Sequence, residues 1–345
     1  MGSARQRVLM LAALAAAGCI VAGGGAWAVV LLMNAPSVRP EGASPDAPLG
    51  VAADGTELRT VEAALQAARR AMDQDRAKVA EGVLSQTVER FPGDQRARLM
   101  LGECLLQLGR GEEAYAQYEA GIQIGPDNAE YRHAAATIAA GIGRLEDART
   151  HYLMAQKLAP SNPKFPLYLA QIQRKLGDND AARASLVLAT KLDPELSIGW
   201  AGLAGIALDE NRLSVARGYI ERARKLEPER TEWRIIEAKI LRRDNQPREA
   251  IALLTAIAEA ERRTDAAVIE ELALCHGMLG EPMDAAGLYI AALGEGDENA
   301  EWSFQAGLWL ERAGQKDRAI MYARHAAAKG HEGAKKLAER LDRGE

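Results

Sequence analysis

Aromatic residues make up only 5% of this 345-residue chain, and it holds three Phe, three Cys and five His. So few aromatics argue against a β-sandwich, whose strands favour aromatic and β-branched side chains, and suit helices packed through small residues. Cys19 lies in an apolar run, and Cys104 and Cys275 stand alone, with no Cys-x-x-Cys pair and no zinc-type spacing. A basic excess is also missing: the formal net charge is -5. A general nucleic-acid binder needs a basic surface to displace counterions, so none is expected here. The histidines His133, His151, His276, His325 and His331 are scattered. There is no His-Glu-x-x-His, no Gly-x-Ser-x-Gly and no phosphate-binding loop. Ser161-Asn162-Pro163-Lys164 spells Ser-x-x-Lys, but Pro163 interrupts the helical spacing that would bring the Lys to the Ser. The expectation is a protein with no catalytic residue, cofactor or metal.

What is present begins with an N-terminal anchor. Residues 8–33 contain no charge. As a helix they would span about 39 Å at about 1.5 Å per residue, against a hydrocarbon core of about 30 Å. Arg5 and Arg7 precede the run, which places residues 1–7 in the cytoplasm and the rest outside the inner membrane. Two other readings stay open. Ala26-Trp27-Ala28 has the form of a signal-peptide cleavage site, and Ala16-Ala17-Gly18-Cys19 resembles a lipoprotein signal. Residues 34–57 carry Pro36, Pro40, Pro45 and Pro48 without an apolar period and read as a linker.

The remainder is periodic. Ala80, Ala114, Ala148, Ala182, Ala216, Ala250, Ala285 and Ala319 follow one another at 34 residues, with one step of 35. Eight units start near residues 61, 95, 129, 163, 197, 231, 266 and 300, filling residues 58–330. The eighth position of each is Ala68, Gly102, Ala136, Ala170, Ala204, Ala238, Ala273 or Gly307. Small residues at matched heights on two helices let the backbones approach. The fifteenth position is Asp75, Gly109, Gly143, Gly177, Asn211, Asn245, Gly280 or Gly314, the types that tolerate the left-handed backbone that ends a helix. Each unit is therefore helix, tight turn, helix. Large residues recur at position 24 (Leu84, Tyr118, Tyr152, Leu186, Ile220, Leu254, Tyr289), and Pro92, Pro126, Pro160, Pro194 and Pro228 close five units. Residues 331–345 continue the helical pattern and read as a capping helix and tail.

This register resembles the tetratricopeptide repeat, best in Leu101-Gly102, Leu105, Ala114, Tyr118 and Pro126. The resemblance departs in units six to eight, which lack the closing Pro, at Ile257, and at Ala323, which stands at position 24 of the last unit. It implies an all-α, right-handed superhelical solenoid whose first helices line a concave groove at positions 2, 5, 9, 12 and 13. It also implies that the chain binds other proteins through extended or helical segments. The position-9 residues are Arg69, Glu103, Thr137, Gln171, Gly205, Lys239, Leu274 and Leu308. None is the Asn used by chaperone-binding members to grip a terminal carboxylate. Lys164, Gln171, Arg174 and Lys175 in the fourth unit, with Lys239, Arg242 and Arg243 in the sixth, form a candidate groove for an acidic partner segment. The expected function is an envelope scaffold for assembly, secretion or biogenesis. The alternative is an accessory subunit of an envelope polysaccharide or peptidoglycan enzyme complex. Aromatic platforms would favour sugar, but Trp200, Trp233, Trp302 and Trp309 are not spaced as one stripe. The oligomeric state is not legible in the sequence.

Overall fold

The computed structural model describes residues 58–125, 127–261, 265–294 and 299–343. The expected membrane helix, the linker, Pro126 and part of the segment holding the extra residue lie outside them. Among the described residues no helix is long and apolar enough to cross a membrane. These residues form seventeen α-helices and no strand. The chain divides into two compact units, Met1–Leu192 and Asp193–Glu345.

The first unit holds α1 (Val61–Asp73), α2 (Ala77–Arg90), α3 (Gln95–Gln107), α4 (Gly111–Ile124), α5 (Ala129–Gly141), α6 (Leu145–Leu158), α7 (Lys164–Lys175) and α8 (Asn179–Leu192). The second holds α9 (Ser197–Asp209), α10 (Leu213–Leu226), α11 (Thr231–Arg243), α12 (Pro247–Glu261), α13 (Ala266–Met278), α14 (Pro282–Leu293), α15 (Ala300–Arg312), α16 (Lys316–Ala328) and α17 (Glu332–Arg343). Within each unit every helix packs on its neighbours in the chain, so the contacts are local and repeat from one hairpin to the next.

Local chemistry sets the boundaries. Several first helices are capped by the side chain just before them: Thr60, Asp94, Asn128, Asp265 and Asn299 each accept a backbone N–H of the first turn. At the other end, all eight fifteenth positions adopt positive φ, including the three that are not glycine, Asp75, Asn211 and Asn245 at 58–59°. A left-handed residue there turns the chain back on itself within three residues.

The small residues sit where the register puts them. Ala80, Ala114, Ala148, Ala182, Ala216, Ala250, Ala285 and Ala319 are fully buried, as are Ala68, Ala136, Ala204, Ala238 and Ala273, with Ala170 at 1%. Gly102 and Gly307 are buried too. Opposite them the position-24 residues fill the hairpin interior, and Leu84, Ile220 and Leu254 have no exposure at all. Each such side chain contributes about 1.5–3 kcal/mol of burial. Ala323 leaves this space short in the last repeat, and α17 supplies the missing volume. Leu337 comes within 3.5 Å of where a Gly307 Cβ would lie. Ala334, Leu337, Ala338 and Leu341 are the buried face of α17, which packs on α15 and α16.

Candidate protein-binding groove

In the first unit, α1, α3 and α5 line a cleft of about 610 Å³. Its floor is Leu65, Leu99 and Met100, with Tyr131 at one side. Its rim is charged: Glu62, Arg69, Arg70, Arg96 and Glu103, with Gln66 between them. These are positions 2, 3, 5, 6, 9 and 10 of successive first helices. Leu99 also packs on the paired second helix, its Cδ2 3.1 Å from where a Gly121 Cβ would lie.

The rim charges pair between repeats. Arg96 Nη1 lies 3.1 Å from Glu62 Oε2, and Arg69 Nη1 lies 3.2 Å from Glu103 Oε2. Each pair joins equivalent positions 34 residues apart. Burial pushes the Glu103 carboxyl above the ordinary carboxylate range, and the Arg69 charge pulls it back in part. Arg70 has no ion pair or side-chain hydrogen bond among the described residues, and the Tyr131 hydroxyl has no protein partner there either. The cleft thus offers an apolar floor with one uncommitted cation and one uncommitted hydroxyl. An extended segment bearing an apolar side chain and a carboxylate matches that chemistry.

The basic set expected from the sequence falls into two parts, one in each compact unit. Lys164, Gln171, Arg174 and Lys175 are all exposed on α7. In the second unit α11 uses its cations inside the fold. Arg242 Nε donates to Glu271 Oε2 at 2.7 Å, and Lys239 Nζ lies 3.9 Å from Glu271 Oε1. Glu271 is only 5% exposed. Arg243 Nη1 donates to the Leu208 carbonyl at 2.6 Å, at the C-terminal end of α9, where a cation also meets the negative end of the helix dipole. The structure places Glu271 between Lys239 and Arg242. The physical reason is burial: a carboxylate at position 6 of α13 is tolerated only with cations against it.

Two polar clusters lie elsewhere in the first unit. The buried His151 ring has Nε2 3.1 Å from the Tyr115 hydroxyl and 2.9 Å from Glu119 Oε1, while Arg132 Nη1 stands 3.3 Å from Nδ1. A guanidinium only donates, so Nδ1 accepts and Nε2 carries the hydrogen. The His151 ring against it holds the Glu119 carboxyl below its usual range. His133 stacks on Tyr168 at 5.0 Å between ring centroids, and burial lowers its pKa. Both are joints between neighbouring repeats. The Trp rings are covered as well: Trp200 by Tyr219 and Arg222, Trp233 by Arg230, Trp309 by Arg312. Trp233 and Trp309 are also buried, at 6% and 7% exposure.

The cleft was missed in the sequence although its signal is present. Opposite charges at one repeat position in adjacent units, Glu62 with Arg96 and Arg69 with Glu103, mark a face where the two first helices meet.

Residues 65–129, 133–197 and 167–231 match the sequence profile of the tetratricopeptide repeat. No curated protein matches the chain. Among solved structures, a tetratricopeptide repeat protein from Parabacteroides merdae is similar with a TM-score of 0.61 at 16% identity, over 72% of this chain and 98% of that one. A chain of the APC/C hetero-tetramer Cut9–Hcn1 gives 0.55 at 14% identity, over 82% of this chain. Yeast Tom70 gives 0.55 at 18% identity, over 78%. The match spans 56% and 59% of those two longer chains. At these identities the likeness is one of fold.

Proposed function

Taking the tetratricopeptide repeats as the premise, we propose that this chain is a non-enzymatic scaffold that holds a segment of a partner protein in the cleft formed by α1, α3 and α5. The observation that carries the reading is the cleft itself, an apolar floor with a charged rim that includes Arg70. On this reading residues 8–33 anchor the chain in the cytoplasmic membrane and the array works outside it, in the biogenesis or assembly of an envelope complex. The exposed cations of α7 supply a second contact for the acidic part of the partner.

A photo-crosslinking amino acid at Met100, in the cleft, tests this against one at Val187, which is 48% exposed on α8 and outside the cleft. The expected result is one defined adduct from Met100, weakened when Arg70 and Arg96 are both replaced by Ser. Equal adducts from the two sites, or none from Met100, would remove the cleft from the proposal. Alkaline phosphatase fused after Glu345 tests the location separately. It should be active, and an inactive fusion beside an active cytoplasmic reporter would place the array inside the cell.

A further inference from the structure

We infer that the turn between α13 and α14 is a binding site for a divalent transition-metal ion, held by His276, Glu281 and Asp284. Ligand atoms of these three side chains all lie within 4.8 Å of one another, and His276 Nδ1 is 2.8 Å from Glu281 Oε2. Donors about 2.1 Å from a common ion stand at most about 4.2 Å apart, so a small turn of one side chain closes the set.

The other repeats supply an internal comparison. His276 holds position 11, where Ala71, Leu105, Ala139, Ala207, Leu241 and Leu310 are apolar and Gln173 is polar. Glu281 holds position 16, which is Arg76, Arg110, Arg144 and Arg212 in four other units, Asp178 in the fourth, and Gln246 and Gln315 in the sixth and eighth. Asp284 holds position 19. In the second and third repeats an acid at position 19 is neutralised by the arginine three residues before it. Arg110 Nε donates to Glu113 Oε1 at 2.5 Å, and Arg144 Nε to Asp147 Oδ2 at 2.6 Å. The seventh repeat keeps the acid and exchanges the arginine for a second acid. Asp284 consequently has no ion pair or side-chain hydrogen bond among the described residues. Two carboxylates one helical turn apart repel each other, and the imidazole beside them is the one nearby group that offers a ring nitrogen. The cation supplied in other repeats by arginine is here left to solution.

The donor set names the class of ion. One imidazole nitrogen and two carboxylate oxygens suit Zn²⁺ or its borderline neighbours, with a fourth position open to water. Ca²⁺ takes six to eight oxygens, and the turn supplies far fewer.

The test is calorimetric titration of the untagged, metal-stripped full chain in detergent with Zn²⁺, with Ca²⁺ as contrast. The variants are Glu281→Arg and His276→Leu, each of which installs a residue that other repeats carry at that position, so the hairpin keeps its packing. Circular dichroism melts in metal-free buffer check that it does. His325→Ala, at an exposed histidine elsewhere, is the control. The expected result is one Zn²⁺ per chain, with affinity lowered roughly tenfold or more in Glu281→Arg and His276→Leu and unchanged in His325→Ala. Absence of stoichiometric Zn²⁺ binding would overturn the assignment. So would unchanged affinity in the two variants, an equal loss in the control, or Ca²⁺ binding as tight as Zn²⁺.

Discussion

One methyl group decides how closely the helices of the second repeat approach. A Cβ on Gly102 would meet Tyr118 Cδ2 at 2.6 Å and Cε2 at 2.7 Å, and the Tyr118 ring is itself buried. At Gly307, the equivalent position of the eighth repeat, the nearest atom is the Ala319 carbonyl oxygen at 3.3 Å. The difference follows from position 24, which is Tyr118 in one repeat and Ala323 in the other. Gly102→Ala should therefore destabilise by roughly 1–3 kcal/mol through overpacking, set against up to about 1 kcal/mol of gained helix propensity. Gly307→Ala should stay within about 1 kcal/mol of the parent. Urea melts of the two variants measure this directly. Equal losses would mean that the residue at position 24 does not set the tolerance of position 8. At this scale the sequence was highly readable. Burial follows a 34-residue clock, and a residue type that recurs on that clock has one physical reason in every copy.

Helix-to-helix electrostatics were harder to read, and α11 with α13 makes the reason plain. Along the sequence Lys239, Arg242 and Arg243 look like a basic stripe, while Glu270 and Glu271 look like a solvated acidic pair. In the structure the two glutamates have different surroundings: Glu270 is exposed, and Glu271 is buried against Arg242 and Lys239. Charge lists do not distinguish them, because they differ by one step around a helix. Glu271→Ala leaves Arg242, whose side chain is only 20% exposed, without its carboxylate. The expected cost is about 2–3 kcal/mol, below the about 3–5 kcal/mol of a fully buried pair because both cations keep some water. Glu270→Ala should change stability by less than about 0.5 kcal/mol. Denaturant midpoints of the two single variants check the contrast. A loss in Glu270→Ala as large as in Glu271→Ala would mean that burial against the α11 cations does not set the cost of losing Glu271. The same reasoning explains the missed cleft. Glu62 with Arg96 and Arg69 with Glu103 become neighbours only when one repeat is laid beside the next.

For the molecule as a whole the repeat was legible as architecture, and the resemblance it carries pointed to binding. Which face binds depends on side chains that differ from repeat to repeat, and periodicity carries no information about those. Periodicity does dictate how damage travels. Each hairpin in a unit touches its immediate neighbours, so stability is a sum of hairpin and interface contributions rather than a property of one common core. Ala148→Leu puts three extra carbons at a fully buried position on α6. Overpacking there should cost roughly 1–3 kcal/mol and fall first on α5–α6 and its flanking helices. Hydrogen exchange read by mass spectrometry should show faster exchange in α4–α7. Protection should remain at the parental level in α13–α17, whose buried Ile269, Tyr289, Leu310 and Leu337 form a cluster of their own. The full chain is compared with its variant at one pH and temperature, well below the melting transition. Faster exchange spread evenly over all helices would mean that the array opens as one cooperative body and that the nearest-neighbour account fails. Unchanged exchange in α4–α7 would mean that position 20 does not set the helix spacing.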